Sequence, residues 1–256
     1  MTVEVPVYQR TIHVDFRDVD FKKQLKLSSL FAYFQDTAGF ASEEMNLGIQ
    51  TLMDAYGVTW VLMRIRTDIL RYPRLHEEIT IETWPTDMTR VEFNRDFFVR
   101  DQNGEVIIKG VSTWVLMDLE TRRIKRTNLI KADYPRTNWP AIHCDLGRIR
   151  DFGQLETVYR KTIGYSDVDI NGHLTNSKYV DYIMDCFSIQ DHQENHVHSL
   201  EVNYLQEAFP GDTLILQKDI SRLKERIVFV EGIKEADGKT AFRALFSFTP
   251  TEENHG

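Results

Sequence analysis

The stretch Tyr165-Ser-Asp-Val-Asp-Ile-Asn-Gly-His-Leu-Thr-Asn-Ser-Lys-Tyr179 places two carboxylates, an amide, a glycine and an imidazole close together. Apolar side chains then recur at spacings of three and four residues as far as Phe187, which predicts an amphipathic helix. The polar cluster is therefore expected where an extended segment turns into a helix. Unpaired backbone N–H groups and the helix dipole favour negative charge at such a place. The stretch is a candidate site.

Calcium binding is the first alternative for this stretch. Asp167-x-Asp-x-Asn-Gly172 has the opening spacing of an EF-hand loop. The twelfth position of such a loop must be a bidentate glutamate, and here it is Lys178. The preceding residues, 158–165, have the pattern of a strand rather than of an entering helix. A plain turn rich in Asp, Asn and Gly explains the glycine and one acid, but not the imidazole beside them.

Composition predicts a globular chain with one or two domains, since 42% of the 256 residues are hydrophobic and 27% are charged. No secretory signal is expected after Met1, and no apolar run approaches the roughly 18 residues of a membrane helix. Cys144 and Cys186 lie far apart, which fits a reducing cytosol and a cytoplasmic location. A net charge of −8 argues against a nucleic-acid partner.

The first half of the chain shows one sequence of predicted elements. A strand at Val7–Phe16 leads through Asp18-Val-Asp20 to a helix at Ser28–Glu44. Four strands follow, at Gly57–Leu70, Glu77–Thr86, Arg90–Arg100 and Glu105–Leu119. Asn103-Gly104 predicts the hairpin turn between the last two strands, because a glycine adopts positive φ readily.

The second half repeats this pattern. A strand to Tyr165, Asp167-Val-Asp169 and a helix from about Thr175 to Ile189 precede four strands, at Val197–Glu207, Thr213–Ser221, Arg226–Glu235 and Thr240–Thr249. The motifs Phe16-Arg-Asp-Val-Asp20 and Tyr165-Ser-Asp-Val-Asp169 overlay at an offset of 149, and Gly104 overlays Gly238 at an offset of 134. One supersecondary unit has therefore been duplicated.

The predicted fold class is α+β, with two β-α-β-β-β-β repeats in one continuous antiparallel sheet and two central helices that cover its apolar face. The predicted domains are an N-terminal one at 1–130, which supplies a wall or pocket, a connector at 131–155 and a C-terminal one at 156–256. Asn171, Gly172 and His173 of the second copy align with Lys22, Lys23 and Gln24 of the first. We therefore expect a single active centre, on the second copy.

Several longer motifs carry a family resemblance. They are Trp60-Val-Leu-Met-Arg64, Arg71-Tyr-Pro73, Glu82-Thr-Trp84, Arg95-Asp-Phe-Phe-Val-Arg-Asp101, Ser112-Thr-Trp-Val-Leu-Met-Asp118, Thr121-Arg-Arg123, Asp169-Ile-Asn-Gly-His173 and Tyr204-Leu-Gln-Glu207. Over most of its length the chain resembles the acyl-acyl-carrier-protein (acyl-ACP) thioesterases of plant plastids and bacteria. The resemblance implies a double hotdog fold, in which the two repeats are hotdog domains.

The resemblance also implies an activity, which is hydrolysis of a fatty acyl thioester on the 4'-phosphopantetheine of acyl carrier protein. Such hydrolysis releases a free fatty acid and ends chain elongation, and no cofactor or metal is expected. The implied catalytic set is Asp169, Asn171, His173 and Glu207, with Glu207 on a later strand. Plant enzymes carry a cysteine directly after that glutamate, whereas this chain has Ala208. Water attack promoted by a carboxylate is therefore the expected mechanism.

Thioester hydrolysis needs a base for water and donors for the oxyanion. Glu207 is a candidate general base, a role that commonly contributes about 10²–10⁴-fold. The Asn171 amide and a backbone N–H at the helix start are candidate oxyanion donors. His173 is expected to orient the water or the carboxylate, or to protonate the leaving thiolate. Asp169 either holds its neighbours in place or is itself the base, and the sequence leaves both roles open.

Three further features of the sequence carry expectations. Asp191–His198 contains several metal-ligand types but no HExxH spacing, and we interpret it as a solvated loop. Cys186 is expected in the core, as are the helix side chains Phe31, Tyr33, Phe34, Phe40 and Met45, some of which would line an acyl tunnel. A basic cluster formed by Arg122, Arg123, Lys125 and Arg126, with Lys131, Arg148 and Arg150 nearby in sequence, is a candidate docking surface for an acidic carrier protein.

Other functional classes remain as alternatives. An acyl-CoA thioesterase on the same scaffold would differ in its substrate handle. A non-catalytic acyl-thioester sensor would need an output module, for which the chain has no spare segment. A hotdog dehydratase is suggested only superficially by Phe209-Pro-Gly-Asp212, because no histidine stands just upstream. A homodimer is compatible with the pattern, although the fused pair of repeats already mimics a hotdog dimer.

Overall fold

The structure is a computed structural model that describes residues 7–130, 134–144, 146–150 and 153–251. The chain divides into two compact units. Unit 1 comprises Met1–Leu25 and Ala32–Leu146, and unit 2 comprises Lys26–Phe31 and Gly147–Gly256. None of the helices in the described ranges is long and apolar enough to cross a bilayer.

The first repeat has the predicted order of a strand, a helix and four further strands. Its elements are β1 (Tyr8–His13), α1 (Leu27–Glu44), α2 (Ile49–Tyr56), β2 (Val58–Ile69), β3 (Glu78–Met88), β4 (Glu92–Arg100), β5 (Val106–Asp118) and β6 (Ile124–Lys125). The strands of unit 1 pair in the order β1-β3-β4-β5-β2, with the short β6 on β5. Every pairing given is antiparallel.

The second repeat has the same topology. Its elements are β7 (Glu156–Thr162), α3 (Asn176–Met184), α4 (Ile189–Glu194), β8 (Asn195–Tyr204), β9 (Thr213–Asp219), β10 (Ile227–Lys234) and β11 (Thr240–Pro250). Its antiparallel strands pair in the order β7-β9-β10-β11-β8, which is the order of the first repeat element by element. The predicted duplication is confirmed.

In each unit a helix packs on the sheet through aromatic side chains. Phe34 of α1 stacks on Phe97 of β4 with ring centroids 4.4 Å apart. Gly110 of β5 makes room for this pair, since a Cβ there would lie 2.7 Å from the Phe34 ring. In unit 2, Tyr179 of α3 meets Phe242 of β11 edge-on at 5.4 Å. These contacts bury apolar area, which is the main stabilising contribution to such a core.

Phe40 departs from the predicted core. Its side chain is 45% exposed, and the Arg10 guanidinium lies 5.2 Å from its ring centroid. Phe31 and Phe34 are buried as expected, as is Cys186. Phe40 therefore belongs to the solvent side of α1, because the apolar stripe of an amphipathic helix covers only one face.

The helix predicted to run to Ile189 ends earlier, at Met184. Ser188 begins a new helix, α4, by accepting a hydrogen bond from Asp191 N at 3.1 Å, and the Asp191 carboxylate accepts one from Ser188 N at 2.8 Å. This reciprocal pair is a capping box, which sets a helix start. The prediction of a solvated loop over Asp191–His198 is therefore wrong, because these residues form α4 and the beginning of β8.

Two strands, β1 and β8, end three residues earlier than predicted. After β1, Phe16–Asp18 forms a 3-10 turn instead of continuing the strand. Strand β8 ends at Tyr204, because Leu205 N and Gln206 N both donate to the Ala241 carbonyl, at 2.8 and 3.0 Å. Two donors on one acceptor interrupt a ladder as a β-bulge does. The placement of Glu207 on a strand is consequently wrong, and this residue lies in the loop that follows β8.

The predicted connector carries local order where it is described. Trp139 packs against Trp84 with ring centroids 4.6 Å apart, and the Asp96 carboxylate accepts a hydrogen bond from Ala141 N at 2.5 Å. Residues 131–133, 145 and 151–152, among them Lys131 of the basic cluster, lie outside the described residues. The domain boundaries stay a prediction.

Candidate active site

Asp169 closes the loop that carries the candidate site. Its Oδ1 accepts hydrogen bonds from Asn171 N at 2.8 Å and from His173 N at 3.2 Å. Asp169 N donates to the His173 carbonyl at 2.8 Å, and Gly172 N donates to the Asp169 carbonyl at 3.0 Å. Gly172 has φ of 76°, a conformation that glycine adopts without steric cost. One carboxylate oxygen of Asp169 is thus committed to folding the loop.

The first repeat folds the same loop around Asp20. Its Oδ1 accepts from Lys22 N at 2.8 Å and from Gln24 N at 3.0 Å. Asp20 N donates to the Gln24 carbonyl at 2.8 Å, and Lys23 has φ of 58° where the second repeat has its glycine. The conformation of the loop therefore does not require the amide or the imidazole.

Asp167 and its counterpart Asp18 shape the turn ahead of this loop. Asp167 Oδ2 accepts from Gly164 N at 2.9 Å, and Asp18 Oδ2 accepts from Asp15 N at 3.2 Å. Asp167 is 6% exposed. Both acids therefore belong to the scaffold of the repeats.

A single backbone hydrogen bond brings Glu207 to this loop. Leu174 N, directly after His173, donates to the Ala208 carbonyl at 2.8 Å. His173 Nδ1 then lies 3.6 Å from Glu207 Oε1. Their side chains are 26% and 37% exposed, so water reaches both groups. The structure thus brings together the imidazole and the carboxylate that the sequence predicted as partners.

The corresponding bond in the first repeat joins Leu25 N to the Pro73 carbonyl at 2.8 Å. It aligns Tyr72 with Glu207, so the first repeat has neither the imidazole nor the carboxylate of this pair. The expectation of one catalytic set per chain stays a prediction that this difference supports.

Asn171 is exposed, and its Nδ2 lies 3.5 Å from Asp169 Oδ2. The backbone N–H groups of residues 171–175 all donate within the chain: two to Asp169 Oδ1, and the others to the carbonyls of Asp169, Ala208 and Asp167. Helix α3 begins at Asn176, next to the predicted start at about Thr175, and the polar cluster lies in the loop just before it. The exposed Asn171 side-chain amide therefore stays a candidate oxyanion donor, whereas the backbone N–H groups of residues 171–175 are engaged.

Phe209 and Lys234 also contact the candidate site, and the sequence did not point to either. The Phe209 and His173 rings make an edge-to-face contact, with their centroids 5.0 Å apart and their ring planes at 89° to each other. Lys234 Nζ lies 3.4 Å from the Glu207 carbonyl oxygen. Phe209 is two residues from Glu207, but β9, the turn after it and the rest of β10 lie between Glu207 and Lys234. No local sequence pattern could have found the lysine.

Two buried groups of unit 2 are poor nucleophiles. Burial raises the pKa of the Tyr179 hydroxyl above its usual value, against the opposing effect of a hydrogen bond with the Ala208 backbone. Burial likewise raises the pKa of the Cys186 thiol to about 12. A thiolate is the reactive form of cysteine, so Cys186 is a core residue rather than a nucleophile. Ala208 is fully buried.

Within the described ranges, no three or more His, Cys, Asp or Glu side chains are grouped so that they could hold a metal ion. Asp169, which an EF-hand reading would use as a calcium ligand, has its Oδ1 occupied by two backbone N–H groups. The observed hydrogen bonds explain the Asp-x-Asp-x-Asn-Gly spacing without a cation.

Comparison with known proteins gives matches along nearly the whole chain. Residues 6–131 match the acyl-ACP thioesterase N-terminal domain, and residues 155–250 match the acyl-ACP thioesterase C-terminal domain. An oleoyl-acyl carrier protein thioesterase of Arabidopsis thaliana is 24% identical over 227 residues, which cover 80% of this chain and 60% of the relative. The chain spans 54–61% of the length of the first three curated relatives.

Solved structures agree in fold. An acyl-ACP thioesterase from Bacteroides thetaiotaomicron is 28% identical, with a TM-score of 0.86 over 95% of this chain and 98% of the other. The 12:0-ACP thioesterase from Umbellularia californica is 20% identical, with a TM-score of 0.84 over 96% and 98%. The second likeness is one of fold alone.

Proposed function

Because the chain belongs to the acyl-ACP thioesterase family, we propose that it hydrolyses fatty acyl-ACP to a free fatty acid and holo-ACP. Its fold is the double hotdog. The observation that carries the proposal is the approach of His173 Nδ1 to within 3.6 Å of Glu207 Oε1 in a water-accessible loop. An imidazole and a carboxylate at this separation are within reach of one water molecule, which is what general-base hydrolysis needs.

In the proposed reaction Glu207 takes a proton from water, and the water oxygen adds to the thioester carbonyl carbon. The Asn171 amide donates to the oxygen that becomes negative, and loss of such a donor typically costs about 10²–10³ in rate. The C–S bond then breaks, and the proton passes by way of His173 to the leaving sulfur. Water and thioester thus give a carboxylic acid and a thiol. Ala208 offers no side-chain nucleophile after Glu207.

Asp169 is proposed to act mainly through its neighbours. Its Oδ1 fixes the backbone of Asn171 and His173, and its Oδ2 lies 3.5 Å from the Asn171 amide nitrogen. Asp20 makes the same backbone bonds in the repeat that lacks the imidazole. This comparison supports a positioning role for Asp169 and leaves Glu207 as the base.

The proposed partner is acyl carrier protein with its acyl chain on 4'-phosphopantetheine, and the N-terminal repeat is proposed to hold the acyl chain. The chain is acidic overall, so docking of an acidic carrier needs a local basic surface. Arg122, Arg123 and Arg126 are exposed and supply one, whereas Lys125 is engaged with Asp118 at 2.8 Å. A homodimer and a cytoplasmic location stay predictions, and the three curated relatives compared are named chloroplastic.

The test is hydrolysis of matched acyl-ACP and acyl-CoA substrates by the purified chain, followed as thiol release and by mass spectrometry of the fatty acids. The proposal expects a higher kcat/KM for acyl-ACP than for acyl-CoA of the same chain length. The reverse order would make the chain an acyl-CoA thioesterase. Binding of acyl-ACP without turnover would make it an acyl-thioester-binding protein. Expression in a bacterial host beside a His173→Ala control would report the chain length released.

A further inference from the structure

Lys234, the last residue of β10, touches three parts of one loop. We call residues 207–212 the Glu207 loop. The Lys234 ammonium lies 2.9 Å from Asp212 Oδ2, 3.4 Å from the Glu207 carbonyl oxygen and 5.6 Å from the Phe209 ring centroid. Its side chain is only 15% exposed, so these contacts are partly shielded from solvent. Ion pairs and cation–π contacts strengthen when water is excluded.

Asp212 closes the Glu207 loop, and Lys234 balances its charge. Phe209 N donates to Asp212 Oδ2 at 3.0 Å, and Asp212 N donates to the Phe209 carbonyl at 3.0 Å. Burial favours the protonated form of Asp212. The hydrogen bonds from Lys234 and from Phe209 N nevertheless hold the pKa of this carboxyl below its usual value. Asp212 is therefore an anion that needs the nearby cation.

Phe209 connects this arrangement to the imidazole. Its ring has the Lys234 ammonium near one face and meets the His173 ring at 89° and 5.0 Å. The same ammonium contacts the backbone of the residue that carries the carboxylate. Lys234 thus contacts the Glu207 backbone directly and reaches His173 through the Phe209 ring, and neither of these Lys234 contacts involves the Glu207 carboxylate or the His173 imidazole.

The first repeat stabilises the equivalent turn with a different cation. Arg74 N donates to Glu77 Oε2 at 2.9 Å, as Phe209 N does to Asp212. Arg71 pairs with Glu77 Oε1 at 2.6 Å and donates to the Tyr72 carbonyl at 3.3 Å. Gln206 occupies the position of this arginine in the second repeat. In the first repeat the cation that pairs with the turn carboxylate thus comes from the turn itself, whereas in the second repeat it comes from the neighbouring strand β10. The second cation also lies against Phe209, whose ring contacts His173.

We infer that Lys234 is a positioning residue that holds Glu207 and His173 in their reactive arrangement. The inference rests on the hydrolysis proposed above. A displacement of about 1 Å in a catalytic group can cost on the order of 10²-fold in rate, so a group that fixes two of them has a measurable effect on turnover.

Lys234→Met tests this inference, with Lys218→Met as the matched control. Lys218 lies on β9 of the same unit, and its Nζ is 3.4 Å from the Cys186 carbonyl oxygen and 5.2 Å from the Phe187 ring centroid. Each substitution therefore removes an ammonium that contacts a backbone carbonyl and an aromatic ring. For Lys234 these contacts lie in the Glu207 loop, and for Lys218 they lie outside it. We expect Lys234→Met to lower kcat about tenfold or more with little change in KM, and Lys218→Met to leave both near the wild-type values.

Two readouts separate positioning from a general loss of stability. The acidic limb of the pH–rate profile should move to higher pH in Lys234→Met, because a cation near the carboxylate and the imidazole has been removed. The His173 ring protons should also shift in the NMR spectrum, because the neighbouring Phe209 ring, whose ring current affects them, loses its contact with Lys234. This second readout does not depend on turnover. Asp212→Asn should reproduce the fall in kcat and the shift of the His173 resonances, but it should move the acidic limb to lower pH, because it removes an anion and leaves the Lys234 cation. The double variant should cost little more in kcat than Lys234→Met alone.

Wild-type kcat and unshifted His173 resonances in a folded Lys234→Met would overturn the inference and leave the proposed hydrolysis standing. A loss of activity equal to that of Lys218→Met, with an equal fall in melting temperature, would also overturn it. If Lys234→Met does not fold, Asp212→Asn decides the question by the same readouts. Absence of hydrolysis by the unsubstituted chain would overturn the proposed function and this inference together.

Discussion

His173 Nδ1 lies 3.6 Å from Glu207 Oε1, although 33 positions separate the two residues in the sequence. The separation is longer than a direct hydrogen bond, for which about 2.7–3.2 Å is usual. At this separation the imidazole and the carboxylate can both contact one water molecule instead of hydrogen-bonding directly to each other. Catalytic hydrogen bonds are often long before substrate binds, so this geometry fits a resting site.

His173→Ala and Asn171→Ala should each lower kcat at least about tenfold while leaving thermal unfolding unchanged. The reason is that the loop is closed by the backbone N–H groups of these residues and not by their side chains. Steady-state kinetics and a melting curve give the measurement. Gln24→Ala, at the position of His173 in the first repeat, is the matched control and should have wild-type kinetics. A near-normal rate in either site variant would remove that residue from the site.

Glu207→Gln should lower kcat by about 10²–10⁴-fold, because the amide cannot accept the proton of water. The acidic limb of the pH–rate profile should disappear in the residual activity. Gln206→Ala, its exposed neighbour, serves as the control. Residual activity that keeps the wild-type acidic limb would transfer the role of base to another group, with Asp169 as the first candidate.

Asp169→Ala and Asp20→Ala form a pair that separates folding from chemistry. Each substitution removes the acceptor of two backbone N–H groups, so each should lower the free energy of unfolding by about 1–3 kcal/mol. Only Asp169→Ala should also abolish turnover, because it releases the backbone of Asn171 and His173. Denaturant unfolding and kinetics are compared for both variants. Equal losses of activity would argue against a site on the second repeat.

Asp96 should make unfolding depend on pH. It is 1% exposed, and burial raises the pKa of its carboxyl from 3.8 to about 6, although Ala141 N and the Thr86 hydroxyl donate to it. The folded chain then binds the proton more tightly than the unfolded chain does. Stability is therefore highest below about pH 4 as far as this group is concerned, and it falls by up to about 3 kcal/mol as the pH rises past 6.

Denaturant unfolding at pH 5 and pH 7.5 measures the contribution of Asp96. Asp96→Asn should reduce the difference between the two pH values, because the amide does not ionise and can still meet the Thr86 hydroxyl. Asp87→Asn, an exposed neighbour, should leave most of the difference in place. An unchanged pH dependence in Asp96→Asn would place the titrating group elsewhere.

Charge reversal of Arg122 and Arg126 to Glu should raise KM for acyl-ACP and leave KM for a small acyl thioester unchanged. Both side chains are exposed, and an acidic carrier would be repelled by the new carboxylates. The effect on KM should weaken as salt concentration rises, since exposed charges are screened. Arg222 and Arg226 to Glu, equally exposed positions elsewhere on the chain, give a charge-matched control. An unchanged KM would exclude this surface as the docking site.

The sequence predicted the duplicated topology because the strands are runs of β-branched, aromatic and alternating residues bounded by turn residues, as at Asn103-Gly104, where the glycine has φ of 81°. The family and its double hotdog fold followed from the longer motifs and are confirmed. The offset between Asp20 and Asp169 aligned two loops, and the two aspartates make the same hydrogen bonds within them.

The rest depended on contacts between residues far apart in the chain. Strand β8 ends before Glu207 because two N–H groups share the Ala241 carbonyl, and no local pattern signals such a bulge. Helix α3 ends early because the capping box at Ser188 competes with an otherwise continuous apolar period. Lys234 reaches the Glu207 loop only through the pairing of β10 with β9. The missed short helix α2 packs through a single buried residue, Leu52, which is too little apolar periodicity to recognise.

The loop that Asp20 closes has a consequence for how the two copies diverged. The hydrogen bonds that shape this loop join backbone groups to one another and to the Asp20 carboxylate, so the side chains at positions 22 and 24 take no part in them. Residues 22 and 24 can therefore differ from Asn171 and His173 while both loops keep the same backbone hydrogen bonds. The first loop thus has the backbone conformation of the candidate site without its side chains. A second copy of the candidate catalytic side chains can be placed on this loop, whose backbone already has the required conformation. It needs four substitutions: Lys22→Asn, Lys23→Gly, Gln24→His and Tyr72→Glu.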